Sequence, residues 1–390
     1  MNAPTSSIDL FSDDVLADPY AAHRELRETA AAVYMETCDA YAIPRYKDVH
    51  HVLATDTVFS SRASISVNPA FNKLYEGAVI ASDGEEHSRL RSVLSGRLAP
   101  RALRSLRADI AERADRFVDG IVARGSFDAV TDFAKVFPVT VVADLVGVPE
   151  EGREHFLDRA DRNFNLFGPD NARARASLGV HDESYAYVSM IGKRENLAPG
   201  SFGATIYEAI DAGIVTEPEG WRLLITYLFA GMDTTINAIG HAIWLFGRHP
   251  EQWQMIRANR ELIPAAFEEV LRFESPVQVF TRGAVAATEI DGVRIPEGAR
   301  VLTLFGSANR DPRQWSDPDT FDIRRDTSGH LGFGHGRHGC AGQGLARIEA
   351  VSLLSSLADR VDSFDTGVPF PHLNNAVRGL ASLPVAVSFA

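Results

Sequence analysis

Apolar positions recur at helical spacing along most of this chain. Asp18–Pro19–Tyr20 opens an amphipathic helix over about 18–30. The runs Ala32–Val33–Tyr34–Met35 and Ala40–Tyr41–Ala42–Ile43, separated by polar residues, predict a β-hairpin, and a short helix follows around Tyr46–Ala54. From Phe59 to Ser82 the period is lost. Pro69 and Gly77 lie there, and an irregular connection of that length is usually functional. Helical, Arg-rich spacing resumes from Glu85 to Gly125, followed by a predicted strand at Phe127–Val130 and helices at Val136–Val146 and Gly152–Asn165. Gly168–Pro169–Asp170 breaks the pattern before two further helices, at about 171–193 and 202–212.

The longest apolar stretch begins at Thr216, a predicted N-cap with Glu219 three residues on. It opens a helix of roughly thirty residues, apolar nearly all round through Trp221–Gly247. Such a helix belongs in the middle of a protein. Inside it, Ala230–Gly231–Met232–Asp233–Thr234–Thr235 breaks the pattern. A mid-helix Gly costs about 1 kcal/mol relative to Ala, and Asp and Thr compete with the helical backbone. Two readings fit these residues: a kink with locally satisfied hydroxyls, or a place where a flat ligand or small molecule approaches the backbone at Ala230 and Gly231. In the second, Asp233 and Thr234 serve proton delivery. A helix over 261–273 follows, then short β-like runs between Val277 and Leu304, and a hairpin-like end, Arg378–Val385. The pattern predicts a mostly α fold with small peripheral β-sheets: one domain over 18–390 behind an N-terminal tail, 1–17.

At 390 residues the chain can bury a core large enough to enclose a sizeable ligand. A net charge of -13 without a long basic run argues against nucleic acid and anionic membranes as partners. The first residues lack a signal-peptide pattern, and the hydropathy predicts no membrane span. Cys38 and Cys340, the two cysteines, stand in contexts unlike a disulfide framework, so a reducing cytoplasm is expected. Cys340 lies in Gly332–Phe333–Gly334–His335–Gly336–Arg337–His338–Gly339–Cys340–Ala341–Gly342, five glycines in eleven residues. That reads either as a rigid loop offering one sulfur to something flat, or as a Gly-rich turn around a buried thiol.

The segment from Phe333 to Gly342 resembles the haem-binding signature of cytochromes P-450, F-G-x-G-x-H-x-C-x-G. Glu269–Val270–Leu271–Arg272 is similar to the family's E-x-x-R, and Ala230–Thr235 to its A-G-x-D-T-T. Asn309–Arg310–Asp311–Pro312 and Phe321–Asp322–Ile323 also resemble segments of bacterial members. The resemblance runs from about Asp18 to the C-terminus and implies a single-domain cytochrome P-450 fold holding haem b. It makes Cys340 the axial thiolate on the iron, with Phe333, Gly334 and Gly342 shaping its loop and Ala230 and Gly231 facing the haem. His87 and Arg91, four apart on one helix face, join Arg282 and His338 as partners of the haem propionates. Glu269, Arg272 and Arg325 form a structural network behind the haem. The intact Asp233–Thr234 pair implies a monooxygenase that uses O2 and takes electrons from an iron–sulfur ferredoxin and its reductase. The dock is expected over Cys340 at Arg101, Arg337 and Arg347, and a monomer is the family's usual state.

Further resemblance, in Asn163–Pro169, Asn196–Gly203 and Phe273–Gln278, is to bacterial enzymes that oxidise para-substituted benzoates. It implies a small aromatic substrate, hydroxylated or O-demethylated in a pocket of Phe164, Phe167, Phe229, Val277, Val279 and Phe280. Where those relatives clamp a carboxylate with Arg and Ser, this chain has Leu74, Gly77, Ile225 and Thr226, with Lys73 nearby and Tyr227 able to offer a hydroxyl. A carboxylate in an apolar pocket is costly, so a neutral or phenolic ring is expected. A tailoring oxygenase of a larger molecule and a haem-thiolate sensor are the alternatives. Pocket volume discriminates against the first, and the proton-relay pair against the second.

Overall fold

A broken helix runs through the centre of the molecule. Glu217–Ala230 and Asp233–Arg248 are separate helices, interrupted at Gly231–Met232. The capping box at Thr216 and Glu219 is formed. The break has a local cause: the hydroxyls of Thr234 and Thr235 donate back to the carbonyls of Ala230 and Gly231, at 3.2 and 3.3 Å, and such back-bonding bends helices. By length and apolarity Glu217–Arg248 would suffice to cross a membrane, contrary to expectation, but 72% of its most apolar window is buried inside the protein. It is a core helix.

The computed structural model describes residues 1–389 apart from Gly152, with Glu154 described in its backbone alone. The predicted start of a helix at Gly152 therefore lies outside the described residues, and the helix itself spans Phe156–Asn165. Around the central pair pack Gly84–Leu98, Pro100–Val122, Val136–Val146, Phe202–Asp211, Ile263–Glu274 and Gln343–Arg360. Their inward residues form one large hydrophobic core. The helix expected over 171–193 is two, Ala172–Leu178 and His181–Ile191, divided at Gly179 and Val180. Pro250–Ala258 is a helix not foreseen.

The sheets are peripheral, as expected. The largest has six strands in the order Thr5–Ser6, Val33–Met35, Ala40–Ile43, Arg300–Leu304, Val279–Ala284, Phe59–Ser60. The expected tail is part of the fold: Thr5–Ser6 pairs in parallel with Tyr34–Met35, and Leu10 and Phe11 are buried. The expected C-terminal hairpin does not form. Arg378–Ser382 pairs with Phe370–Leu373, whereas Pro384–Phe389 pairs with Val361–Thr366 and Ser126–Asp128. The chain changes sheets at Leu383, where the Asp128 carboxylate accepts from the Ser382 hydroxyl and the Leu383 amide. The irregular stretch after Phe59 contains a short helix, Pro69–Leu74, capped by the Asn68 side chain.

Candidate active site

Glycines shape the cysteine loop. Gly334 and Gly336 both sit at φ +68°, a left-handed conformation that a Cβ disfavours. At Gly336 a Cβ would also collide with the Leu53 carbonyl, so the loop lies against the helix Tyr46–Ala54. The Cys340 amide donates to the Phe333 carbonyl at 2.8 Å, and the Arg347 guanidinium stands 4.5 Å over the Phe333 ring. Burial pushes the half-buried Cys340 thiol up, while the amides of Gly342 and Gln343 and the charge of Arg91 favour the thiolate. The helix Gln343–Arg360 begins directly after, and its N-terminus favours negative charge. Burial outweighs these groups while the thiol is free, so a metal ion would be needed to hold it as the thiolate. Burial also raises the Cys38 thiol, to about 11, but no glycine-shaped loop or helix N-terminus adjoins it.

Four basic side chains meet beside this loop. The His87 and His338 rings are 4.2 Å apart, and the Arg91 guanidinium donates to the Gly339 carbonyl at 2.5 Å. Arg282, 6% exposed, acts on His338 by its charge. Burial, with the charges of His338 and Arg91, lowers His87 to about 4. Neither ring nitrogen of His87 has a hydrogen-bond partner, nor has Nε2 of His338. Asp83 stands 3.7 Å from that Nε2, an ion-pair distance but too long for a hydrogen bond. Buried donors left unmet are costly, and a ligand bearing carboxylates would satisfy them. The donor set fits a haem with its propionates here and its iron at Cys340.

The network behind the loop is fully formed. Glu269 and Arg272, both wholly buried, make a two-pronged pair at 2.7 and 2.8 Å. Arg325 reaches the same carboxylate at 3.3 Å, and Arg272 also donates to the Asn309 and Pro318 carbonyls. These bonds tie the helix Ile263–Glu274 to the strand-poor segment before the cysteine loop.

At the helix break, Ala230 is exposed and Thr234 half-buried, although the surrounding helix is buried. That face is open rather than packed. Gly231 serves packing, since its missing Cβ lies against the Tyr227 carbonyl and Val142. Asp233 is 7% exposed and its Oδ2 has no partner. Burial, then the charge of Asp161, raises its carboxyl to about 7, against the pull of His372 and Lys135. His372 Nε2 lies 2.6 Å from Asp161 Oδ1. Asp161 and His372, from the helix Phe156–Asn165 and the strand Phe370–Leu373, were not singled out by any motif.

Of the expected pocket residues, Phe164, Phe167, Val277 and Phe280 share one cluster with Phe71 and Tyr75. Phe167 meets Phe71 at 4.9 Å and Phe280 at 5.2 Å, both edge to face. Phe71 and Tyr75, four apart, escaped notice because the stretch around them was read as irregular. Val279 is a correction. Side chains alternate along Val279–Ala284, so Phe280 and Arg282 share one face and Val279 takes the other, packing with Leu10, Phe11 and Leu26.

Phe229 belongs to a neighbouring cavity of about 140 Å3, also lined by Leu74, Ile225 and Thr226 at the expected clamp positions. Tyr227 is not available to a ligand, because its hydroxyl donates to the Leu94 carbonyl at 2.6 Å. Lys73 is exposed. Of the expected docking residues, Arg337 pairs with Asp56 and Arg347 with Glu268, each at 2.6 Å, while Arg101 is exposed.

The sequence profile of the cytochrome P450 family matches residues 215–360. A relative from Rhodopseudomonas palustris, cytochrome p450 CYP199A2, is 40% identical over 391 residues, covering 99% of this chain and 95% of its own. Cytochrome P450 monooxygenase PikC of Streptomyces venezuelae is 32% identical, covering 98% and 94%. The solved structure of cytochrome P450 CREJ in complex with (4-ethylphenyl) dihydrogen phosphate superposes with a TM-score of 0.87 at 28% identity, covering 96% and 98%. The thiol loop, the basic cluster beside it and full-length relatives agree: the chain belongs to the cytochrome P450 family, haem enzymes with an axial cysteine thiolate that act as monooxygenases.

Proposed function

We propose that Cys340 is the axial ligand and that this enzyme, a cytoplasmic monomer supplied by a ferredoxin and its reductase, oxidises small aromatic molecules by hydroxylation or O-demethylation. Haem, when bound, supplies the redox chemistry that activates oxygen. His87, Arg91, Arg282 and His338 hold its carboxylates, and Glu269, Arg272 and Arg325 stiffen the wall behind the cysteine loop.

One observation carries the catalytic reading: a buried, partnerless carboxyl near pH 7 beside a hydroxyl at the break of the central helix. An acid with that pKa both takes up and releases a proton at working pH. The Thr234 hydroxyl donates to Ala230, which leaves its oxygen to accept a hydrogen bond on the open face. Asp233 then passes protons inward, and Thr234 positions what receives them. A ligand sensor has no use for such a pair.

The ring cluster Phe71, Tyr75, Phe164, Phe167 and Phe280 supports an aromatic substrate, since rings favour edge-to-face neighbours. The aryl ligand of the CREJ structure is in keeping with this. Apolar Leu74 and Ile225 at the clamp positions favour a neutral or phenolic ring over a benzoate. Turnover of aryl ethers and phenols with a ferredoxin system tests the reading. Thr234→Ala should keep consuming reductant while product per electron falls at least tenfold. Full coupling in that variant would refute the role given to the pair.

A further inference from the structure

The cavity beside Phe229 has a polar half that the aromatic reading leaves unused. Three arginines line it, Arg159 and Arg162 from the helix Phe156–Asn165 and Arg222 from the first central helix, together with His181. No Asp or Glu is among its described lining residues. In a chain of net charge -13, such a concentration of positive charge is local and specific. Arg162 is paired with exposed Asp158 at 2.7 Å, but Arg159 and Arg222 have no carboxylate partner among the described residues. Arg159 is nonetheless held in place. It donates to the Ser184 hydroxyl at 3.1 Å and stacks 4.4 Å over the Tyr187 ring, while its Nε is buried without a partner. A guanidinium fixed by neutral groups, with donors to spare, is prepared for an oxyanion.

The rest of the cavity wall is uncharged, with apolar Leu166, Ile225 and Phe229 beside neutral polar groups such as Asn163, Ser177 and Thr226. Arg222, Ile225 and Phe229 recur at three- and four-residue intervals and so lie along one side of the helix Glu217–Ala230. At about 1.5 Å per residue, Arg222 is about 10 Å before Phe229. A benzoate carboxylate is too close to its own ring to bridge that separation.

From these arginines and the uncharged lining around them we infer that Arg159 and Arg222 bind a terminal oxyanion, a carboxylate or phosphate monoester. The substrate would be an aromatic whose reacting end is neutral and whose anion is carried on a chain on the order of 10 Å away. This rests on the aromatic reading of the pocket and adds a remote anion to the neutral ring proposed there.

Spin-state titrations of the holoenzyme test it with 6-(4-methoxyphenyl)hexanoate, its methyl ester, 6-(4-methoxyphenyl)hexyl phosphate and 4-methoxybenzoate. The hexanoate or the phosphate should bind at least tenfold tighter than the ester, and which of them does so identifies the anion. The preference should fall at 1 M salt and disappear in Arg159→Gln and Arg222→Gln, with ester affinity unchanged. Equal affinities for acid, phosphate and ester overturn the inference, as does an undiminished preference in both variants. So does micromolar 4-methoxybenzoate binding that depends on these arginines. Calorimetry with dodecanoate against dodecanol needs no ring. If no aryl probe binds, the aromatic reading fails, yet a dodecanoate preference abolished by Arg222→Gln upholds the anion site, and its absence overturns it.

Discussion

Asp233 illustrates how position sets the chemistry of a residue. Near the surface its carboxyl would ionise at acid pH; here burial raises it to about 7. The sign follows from linkage. The folded state holds the proton more tightly than the unfolded chain, so this group lowers stability as pH rises from about 4 to about 7. At about 1.4 kcal/mol per pKa unit, the loss is on the order of 4 kcal/mol at most. Asp233→Asn should therefore flatten the decline in urea midpoint between pH 5 and pH 8, while turnover falls tenfold or more. An unchanged pH dependence of stability would show that Asp233 titrates normally. The residue was legible in the sequence, because a carboxylate in an apolar helix is conspicuous. Asp161 and His372, which tune it, were not: neither sits in a motif, and only tertiary packing brings them near.

At the scale of elements, local signals told most where they were strong. The capping box at Thr216, the helix Val136–Val146 and the Gly-rich loop all formed where the pattern placed them. Strand residues were misread for a physical reason. A single residue changes the face of a strand, so Val279 and Phe280, adjacent in sequence, belong to different cores. The C-terminal runs looked like a hairpin because each is strand-like, but their partners lie far away in sequence. The short helix Pro69–Leu74 is too brief to show a period. The loop itself yields a sharp prediction: Gly336→Ala introduces both backbone strain and a clash with Leu53. It should destabilise by about 1–3 kcal/mol and lower haem content on purification. Full haem content would mean that the loop tolerates another path. Glu269→Ala, which strands Arg272 without its carboxylate, should cost about 3–5 kcal/mol in chemical denaturation.

The whole molecule presents two regions with different duties. In one the cysteine loop lies under Arg337 and Arg347, already held by Asp56 and Glu268. If the proposed ferredoxin is acidic and docks there, it competes with those intramolecular carboxylates, and its affinity should be salt-sensitive. Arg337→Glu should reduce ferredoxin-supported turnover severalfold at low salt and flatten its salt dependence; wild-type rates would place the dock elsewhere. In the other the aromatic cluster opens toward a cavity with a basic rim. The rings at Phe164, Phe167 and Phe280 stand out in the sequence, but Arg159 and Arg222 belong to no motif, because their convergence depends on how two helices far apart in sequence pack.

All of this rests on one sulfur. The carbon monoxide difference spectrum of the reduced holoenzyme tests it most directly, with Cys38→Ser and Cys340→Ser measured alongside the wild type. Wild type and Cys38→Ser should show the red-shifted Soret band of thiolate-ligated haem, and Cys340→Ser should lose it. A thiolate band that survives in Cys340→Ser, or that vanishes in Cys38→Ser, would contradict the assignment of Cys340 as the ligand.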